Sequence, residues 1–284
     1  MWSSIAGLWR DRAGRFAALK AAALVLAIVP GLLLAARALT GDLGGRPITE
    51  ATHNTGDWVI RFFLLSLAVT PARALLDAPQ LVPLRRIFGV AAACYAVIHL
   101  LIYAYDQKWN LGVIVSEIVL RFYLTIGFVA VLGLVVLAVT STDGWQRKLR
   151  HRWKQVHRLV WPIGVLALWH YFLQSKLNVA GATFDTGLFL FLLIWRQSPR
   201  RWQTGIPAMV PLILFAWVGT AVVEFAWYGL ATKLNPWRVL NANLDVLSDL
   251  RPAEQIIIAG LAMLVVLLLR RWRKRGLRPA SKLV

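Results

Sequence analysis

Cysteine is nearly absent: Cys94 is the single one in 284 residues. Intrachain disulfides are thereby excluded. Iron–sulfur clusters and zinc ribbons are excluded too, since both need several thiolates. Cys94 lies in an apolar run and is expected to pack there as a small hydrophobe. Acidic residues are scarce, 13 against 32 Lys plus Arg. No Gly-rich nucleotide fingerprint follows a strand-like run, so no dehydrogenase domain is expected and any redox role needs a separate reductant. Internal repeats and low-complexity tracts are lacking. No cleavable signal peptide is evident either. Residues 1–20 are basic, but the apolar run after them is too long for an ordinary signal core and has no small-x-small cleavage pattern.

Apolar residues are what the chain has in abundance. They make up 58% of it, and the mean hydropathy is +0.61. Several runs approach the roughly 20 residues needed to cross a hydrocarbon core of about 30 Å. The 14 tryptophans suit the headgroup level of a bilayer. The reading is an all-α, polytopic membrane helix bundle. Spans are expected at 21–39, 58–76, 87–105, 122–140, 157–174, 183–195, 207–231 and 255–269. This divides the chain into an N-terminal segment 1–20, a six-helix core 21–195, a basic connector 196–206, two additional transmembrane helices 207–269 and a basic tail 270–284.

A net charge of +19 invites a nucleic-acid reading, but the positions of the charges oppose it. The N-terminus, the loops 72–86, 141–158 and 196–206, and the C-terminus hold 23 Lys/Arg and 3 Asp/Glu. The alternate loops hold 8 and 9. Eight spans with both termini cytoplasmic satisfy the positive-inside rule throughout. The basic excess is therefore a topology signal, with anionic lipid as a secondary partner.

Imidazole inside a bilayer is costly and usually functional. On the third and fifth spans, His99 follows Arg86 by 13 residues and His170 follows His157 by 13. At 1.5 Å per residue, each lies roughly 20 Å from the basic end of its helix. Two imidazoles at one depth on parallel helices can supply both axial positions of a haem iron. Bis-imidazole ligation suits electron transfer better than oxygen binding. A helix-bridging hydrogen bond or a proton pathway are the other uses of such residues. A dinuclear metal site would want nearby carboxylates, which these spans lack.

His157 sits at the basic interface, and the matching depth on the third span holds Arg85 and Arg86. An ideal helix also puts positions 13 apart about 140° apart in azimuth, though Pro162 intervenes and can kink the helix. His151 in the basic loop and His53 in the outer polar loop read as solvated. Arg73 and Arg121, at the ends of the second and fourth spans, are candidate partners for haem propionates or a flavin phosphate. Arg61 lies within the second span. Snorkelling is the plainer role for such residues.

The stretch from Thr140 through Trp145 and Trp153 to His157 resembles the loop entering the fifth helix of the MsrQ (YedZ) family. Further matches are His53-Asn-Thr-Gly56, Thr70-Pro-Ala-Arg73, Arg85-Arg-Ile-Phe-Gly89 leading to His99, and Arg121-Phe-Tyr-Leu-Thr-Ile-Gly127. They run in order over roughly residues 50–175. More distantly, the family is similar to ferric-reductase and NADPH-oxidase transmembrane domains. The resemblance implies a six-helix ferric-reductase-like core and haem b, one or two, bound through His99, His157 and His170. It implies FMN as a further cofactor. It also implies a periplasmic molybdopterin-containing methionine sulfoxide reductase as partner, with a cytosolic flavin reductase or quinol as donor. Sulfoxide reduction itself, which repairs oxidised proteins, would then occur on the partner. The setting implied is the bacterial inner membrane. The oxidase relatives carry four histidines for two haems, whereas the third span here offers only His99. Helices beyond the sixth also depart from the six-helix pattern.

Two other classes compete with an electron carrier. A proton-coupled transporter using buried histidines would be colourless and should show a repeat or paired broken helices. A pure membrane anchor would tolerate loss of the deep histidines.

Overall fold

In the computed structural model the described residues are 9–10, 14–176, 178–203, 205–243 and 250–276. Parts of the expected segments lie outside them: 1–8 and 11–13 of the N-terminal segment, 177 after the fifth span, 204 of the basic connector, 244–249 of the last loop, and 277–284 of the tail. All the regular structure among the described residues is helical, apart from one isolated bridge between Arg10 and Phe16.

The long helices are α1 (Ala18–Leu39), α2 (Pro47–Leu76), α3 (Leu84–Asp106), then α5 (Phe122–Val139), α8 (Val160–Ser175), α9 (Ala180–Gln197), α11 (Ile206–Ala231) and α13 (Pro252–Gly276). Shorter ones connect them: α4 (Leu111–Leu120), α6 (Asp143–Leu149), α7 (Arg152–Arg158), α10 (Arg200–Gln203) and α12 (Pro236–Ala242). Each of the eight expected spans coincides with a long helix. Six, namely Ala18–Leu39, Pro47–Leu76, Pro79–Asp106, Phe122–Val139, Ile206–Ala231 and Pro252–Arg273, are long and apolar enough by themselves to cross a membrane. Helix α8 has only 16 residues, and α9 carries Asp185 and Arg196 among its 18. The chain is a multi-span, all-α membrane protein.

Two loops of the sequence reading are helical over most of their length, and the connector 196–206 and the loop before the last span hold the shorter α10 and α12. The basic stretch 141–156 folds into α6 and α7, which turn at Arg150 with φ 47°. The stretch after the third span holds α4. The chain swings into it through Lys108 and Trp109, both with positive φ, and the Asn110 side chain caps it by accepting from the Val113 N–H at 3.2 Å. Ten residues, LGVIVSEIVL, are too few to span and too apolar to sit in water. Leu111, Val115, Val119 and Leu120 are all exposed.

Packing divides the chain into two compact units. The first comprises Met1–Thr70 and Pro79–Ser175; the second comprises Pro71–Ala78 and Lys176–Val284. The sequence reading put its division in the connector 196–206; here α9 groups with α11 and α13.

In the first unit α3 packs on α1 and α5, and α5 on α8. Small residues allow the close approach: Ala91, Ala92, Ala93 and Ala96 are all buried. Cys94 falls on the opposite side of that helix and is exposed, so it does not pack in the bundle as expected. Fully buried Phe62 of α2 sits among Trp58, Phe88 and Tyr95, with ring centres 5.2–6.2 Å away. The Tyr95 hydroxyl donates to the Ala27 carbonyl at 3.0 Å, tying α3 to α1.

The second unit centres on Trp195, Met209, Leu212, Ile213 and Leu267. Near one end of α11, Glu224 is 2% exposed. It accepts from Arg251 and from the Asn243 side chain, the latter at 2.8 Å. A buried charge needs such partners.

Candidate functional site

The first unit carries two distinct histidine environments. In the deeper one, His99 on α3 and His170 on α8 face each other. Their ring centres are 6.3 Å apart and their planes are nearly perpendicular, at 88°. Depth matching from sequence put them at one level on parallel helices, and the fold brings them together.

Each is held by a neighbouring helix in the same manner. His99 Nδ1 lies 2.9 Å from the Thr52 carbonyl oxygen of α2. His170 Nδ1 lies 2.8 Å from the Tyr123 carbonyl oxygen of α5. A carbonyl only accepts, so Nδ1 carries the proton in both rings. That fixes the tautomer and leaves a lone pair on each Nε2. Neither Nε2 has a hydrogen-bond partner among the described residues. The Thr55 hydroxyl, bonded back to the Ala51 and Thr52 carbonyls, stands 3.4 Å from His99 Nδ1.

The second environment surrounds His157 on α7. There Nδ1 is 3.1 Å from the Trp153 carbonyl oxygen and Nε2 is 3.2 Å from the Ser141 hydroxyl, so both ring nitrogens are engaged. The Trp153 indole stacks on the imidazole at 3.9 Å between centres, and its N–H donates to the Thr140 carbonyl. His157 borders a cavity of about 230 Å³ together with Arg85, Arg86, Ser141, Gln146 and Trp153, above an apolar floor that includes Phe63 and Leu134. Arginine thus shares this cavity with His157 where a second histidine would be needed.

The remaining candidates sit elsewhere. Arg121 is exposed at the junction of α4 and α5. It pairs with Glu117 and donates at 3.2 Å to the hydroxyl of Tyr123, the residue two positions on whose carbonyl holds His170. Arg73 is exposed and belongs to the second unit. Arg61 pairs with Asp57 at 3.6 Å and lies over the Trp58 ring. His53 and His151 are exposed. Groups of three or more His, Cys, Asp or Glu side chains able to hold a metal ion are absent among the described residues. A haem, which brings four nitrogens of its own, needs only two. Sequence reasoning missed the Thr52 and Tyr123 carbonyls and the wall of Ser141, Gln146 and Trp153. Thr52, Tyr123 and Trp153 do lie in or beside the stretches that carried the family resemblance.

The all-helical membrane bundle carries a ferric-reductase-like domain: the pattern of the family described as ferric reductase like transmembrane component matches residues 55–168. That stretch contains His99 and His157 and stops two residues short of His170. Within the class, the chain is 41% identical over 200 residues to the protein-methionine-sulfoxide reductase heme-binding subunit MsrQ of Rhodospirillum rubrum, covering 69% of this chain and 94% of that one. The protein of the same name from Xanthomonas oryzae pv. oryzae is 41% identical over 155 residues, 54% of this chain and 71% of that one. Its counterpart in Xanthomonas campestris pv. campestris is 41% identical over 159 residues, 56% and 73%. The chain belongs to the MsrQ family. No solved structure matches it.

Proposed function

We propose that the chain is a haem b membrane subunit that carries electrons to a methionine sulfoxide reductase. The observation that supports this best is the 6.3 Å between the His99 and His170 ring centres. Two metal–imidazole bonds of about 2 Å, plus roughly 1 Å from each nitrogen to its ring centre, add to about 6 Å. The pair would therefore be able to hold one haem iron. Haem, when bound, supplies one-electron chemistry at that iron.

This chain's residues hold and tune. His99 and His170 present Nε2; the Thr52 and Tyr123 carbonyls keep the proton on Nδ1 and raise the basicity of each ring. A haem held by both imidazoles would suit electron transfer better than oxygen binding. Arg121, beside Tyr123, is placed to meet a propionate on that side.

At the basic end, His157 Nε2 lies 3.2 Å from a Ser141 hydroxyl that donates to the Leu137 carbonyl, and the cavity is smaller than the roughly 300 Å³ of the smallest ordinary ligand pockets. These features favour a single haem at the deep pair. They leave His157 as the weakest of the three ligands that the family resemblance implies. The arginines and the indole in that wall suit the phosphate of a flavin whose rings would lie outside the cavity, or a quinol headgroup, on the donor side. Arg73 is the weaker choice for such an anion.

The same reading puts the protein in the bacterial inner membrane with both termini cytoplasmic, supported by the charge asymmetry of its loops. Its donor is a cytosolic flavin reductase or quinol. Its acceptor is a periplasmic molybdopterin-containing subunit on which sulfoxide is reduced and oxidised proteins are repaired. Helices α11 and α13 are an addition to this electron-carrying part.

An absorbance spectrum of the purified protein, oxidised and dithionite-reduced, tests the reading. A bis-imidazole haem spectrum is expected, and His99→Ala or His170→Ala should abolish it. A colourless preparation after haem supplementation would instead favour a proton-coupled transporter.

A further inference from the structure

The two deep histidines are held by one device used twice. His99 bonds the carbonyl of Thr52, and Gly56 stands four residues further along α2. His170 bonds the carbonyl of Tyr123, and Gly127 stands four residues further along α5. In an α-helix the carbonyl of residue i already accepts the N–H of residue i+4. A second donor must therefore approach past residue i+4, where a side chain would normally stand.

Glycine leaves that approach open. A β-carbon built at Gly56 would lie 3.3 Å from Nδ1 and Cε1 of His99. One built at Gly127 would lie 2.6 Å from Nδ1 and 2.8 Å from Cε1 of His170. Both glycines have helical backbone, so neither is required by φ; each is required by the imidazole against it.

We propose that Gly56 and Gly127 are positioning residues, each exposing the carbonyl one turn before it so that the Nδ1–H of a histidine is captured and its Nε2 is aimed at iron. This rests on reading His99 and His170 as the iron ligands. The two copies differ in tightness. The contact at Gly56 can be relieved by a shift of a few tenths of an ångström, whereas that at Gly127 cannot be relieved without moving the ring off the Tyr123 carbonyl.

The test compares Gly56→Ala, Gly127→Ala and Gly133→Ala in the purified, full-length, haem-loaded protein. Gly133 is the control. It lies on the same helix as Gly127 and faces the same neighbour, but its β-carbon would meet Ile163 at 2.6 Å and no histidine. The readouts are the spin state by electron paramagnetic resonance, the midpoint potential, and haem retention against apomyoglobin.

Gly127→Ala should convert the haem from low spin to largely high spin and weaken retention by roughly 10- to 100-fold, the usual effect of losing a ligand's outer partner. Gly56→Ala should stay low spin with a more positive potential, because a stretched Nδ1–H bond leaves a less basic ligand. Gly133→Ala should keep the wild-type spin state and potential. Equal spectral changes in Gly133→Ala and Gly127→Ala would overturn the proposal, since helix spacing alone would then account for both. Wild-type spin state, potential and retention in Gly127→Ala would overturn it as well, provided His99→Ala and His170→Ala lose the bis-imidazole signal. If those two histidine variants keep that signal, the ligand reading itself fails, and the proposal with it.

Discussion

His170 and His157 lie 13 residues apart in one stretch of chain, yet the protein treats them differently. His170 is gripped at Nδ1 by a carbonyl from another helix, and its ring centre lies 6.3 Å from that of His99. His157 bonds its own helix through Nδ1, meets Ser141 through Nε2, and lies flat against Trp153. The first arrangement fixes the tautomer and leaves each Nε2 without a hydrogen-bond partner among the described residues. The second ties the imidazole to its own helix, a serine hydroxyl and an indole. Intramembrane histidine is informative about chemistry only when the bonding of both nitrogens is known.

The largest effect that should sharpen this contrast is loss of a deep ligand. His170→Ala should remove essentially all bis-imidazole absorbance, whereas His157→Ala should retain most of it. Equal losses in both variants would erase the distinction. Next comes a change in the second unit. Glu224→Ala strands Arg251 and should cost about 3–5 kcal/mol, as breaking a buried pair does. Thermal unfolding in detergent should register this, with the haem spectrum per folded protein unchanged; a spectral shift would tie that unit to the haem site. His157→Ala should itself lower stability by about 1–3 kcal/mol, from the lost ring stacking and hydrogen bonds. The smallest effect belongs to Arg86→Ala. Its 2.7 Å ion pair with Asp143 is exposed, so about 0–1 kcal/mol is at stake. A larger loss would mean that Arg86 supports the cavity wall.

The long helices were legible because each is an apolar run bounded by charge, and residue counting from Arg86 and His157 at the basic ends of two spans was enough to match His99 with His170 in depth. The short helix α4 was not legible, since ten apolar residues between polar neighbours read as a loop end. The grouping of α9 with α11 and α13 depends on contacts such as Gly187 against Thr220 and Ile256, which no periodicity displays. The grip on the deep histidines comes from backbone carbonyls, and these carry no letter in a sequence. The only trace is the absence of a side chain one turn later. Glycine is also common in apolar helices wherever two of them pack closely, so that trace is not specific.

Helix α4 has no wet side. Ser116 turns its hydroxyl onto the Val113 carbonyl, Glu117 is taken up by Arg121, and the remaining side chains are aliphatic or glycine. Such a segment belongs against apolar surroundings. It ends at Arg121, two residues before the carbonyl that secures His170. Whatever surface takes up α4 is therefore coupled, through two residues of backbone, to the orientation of a deep imidazole.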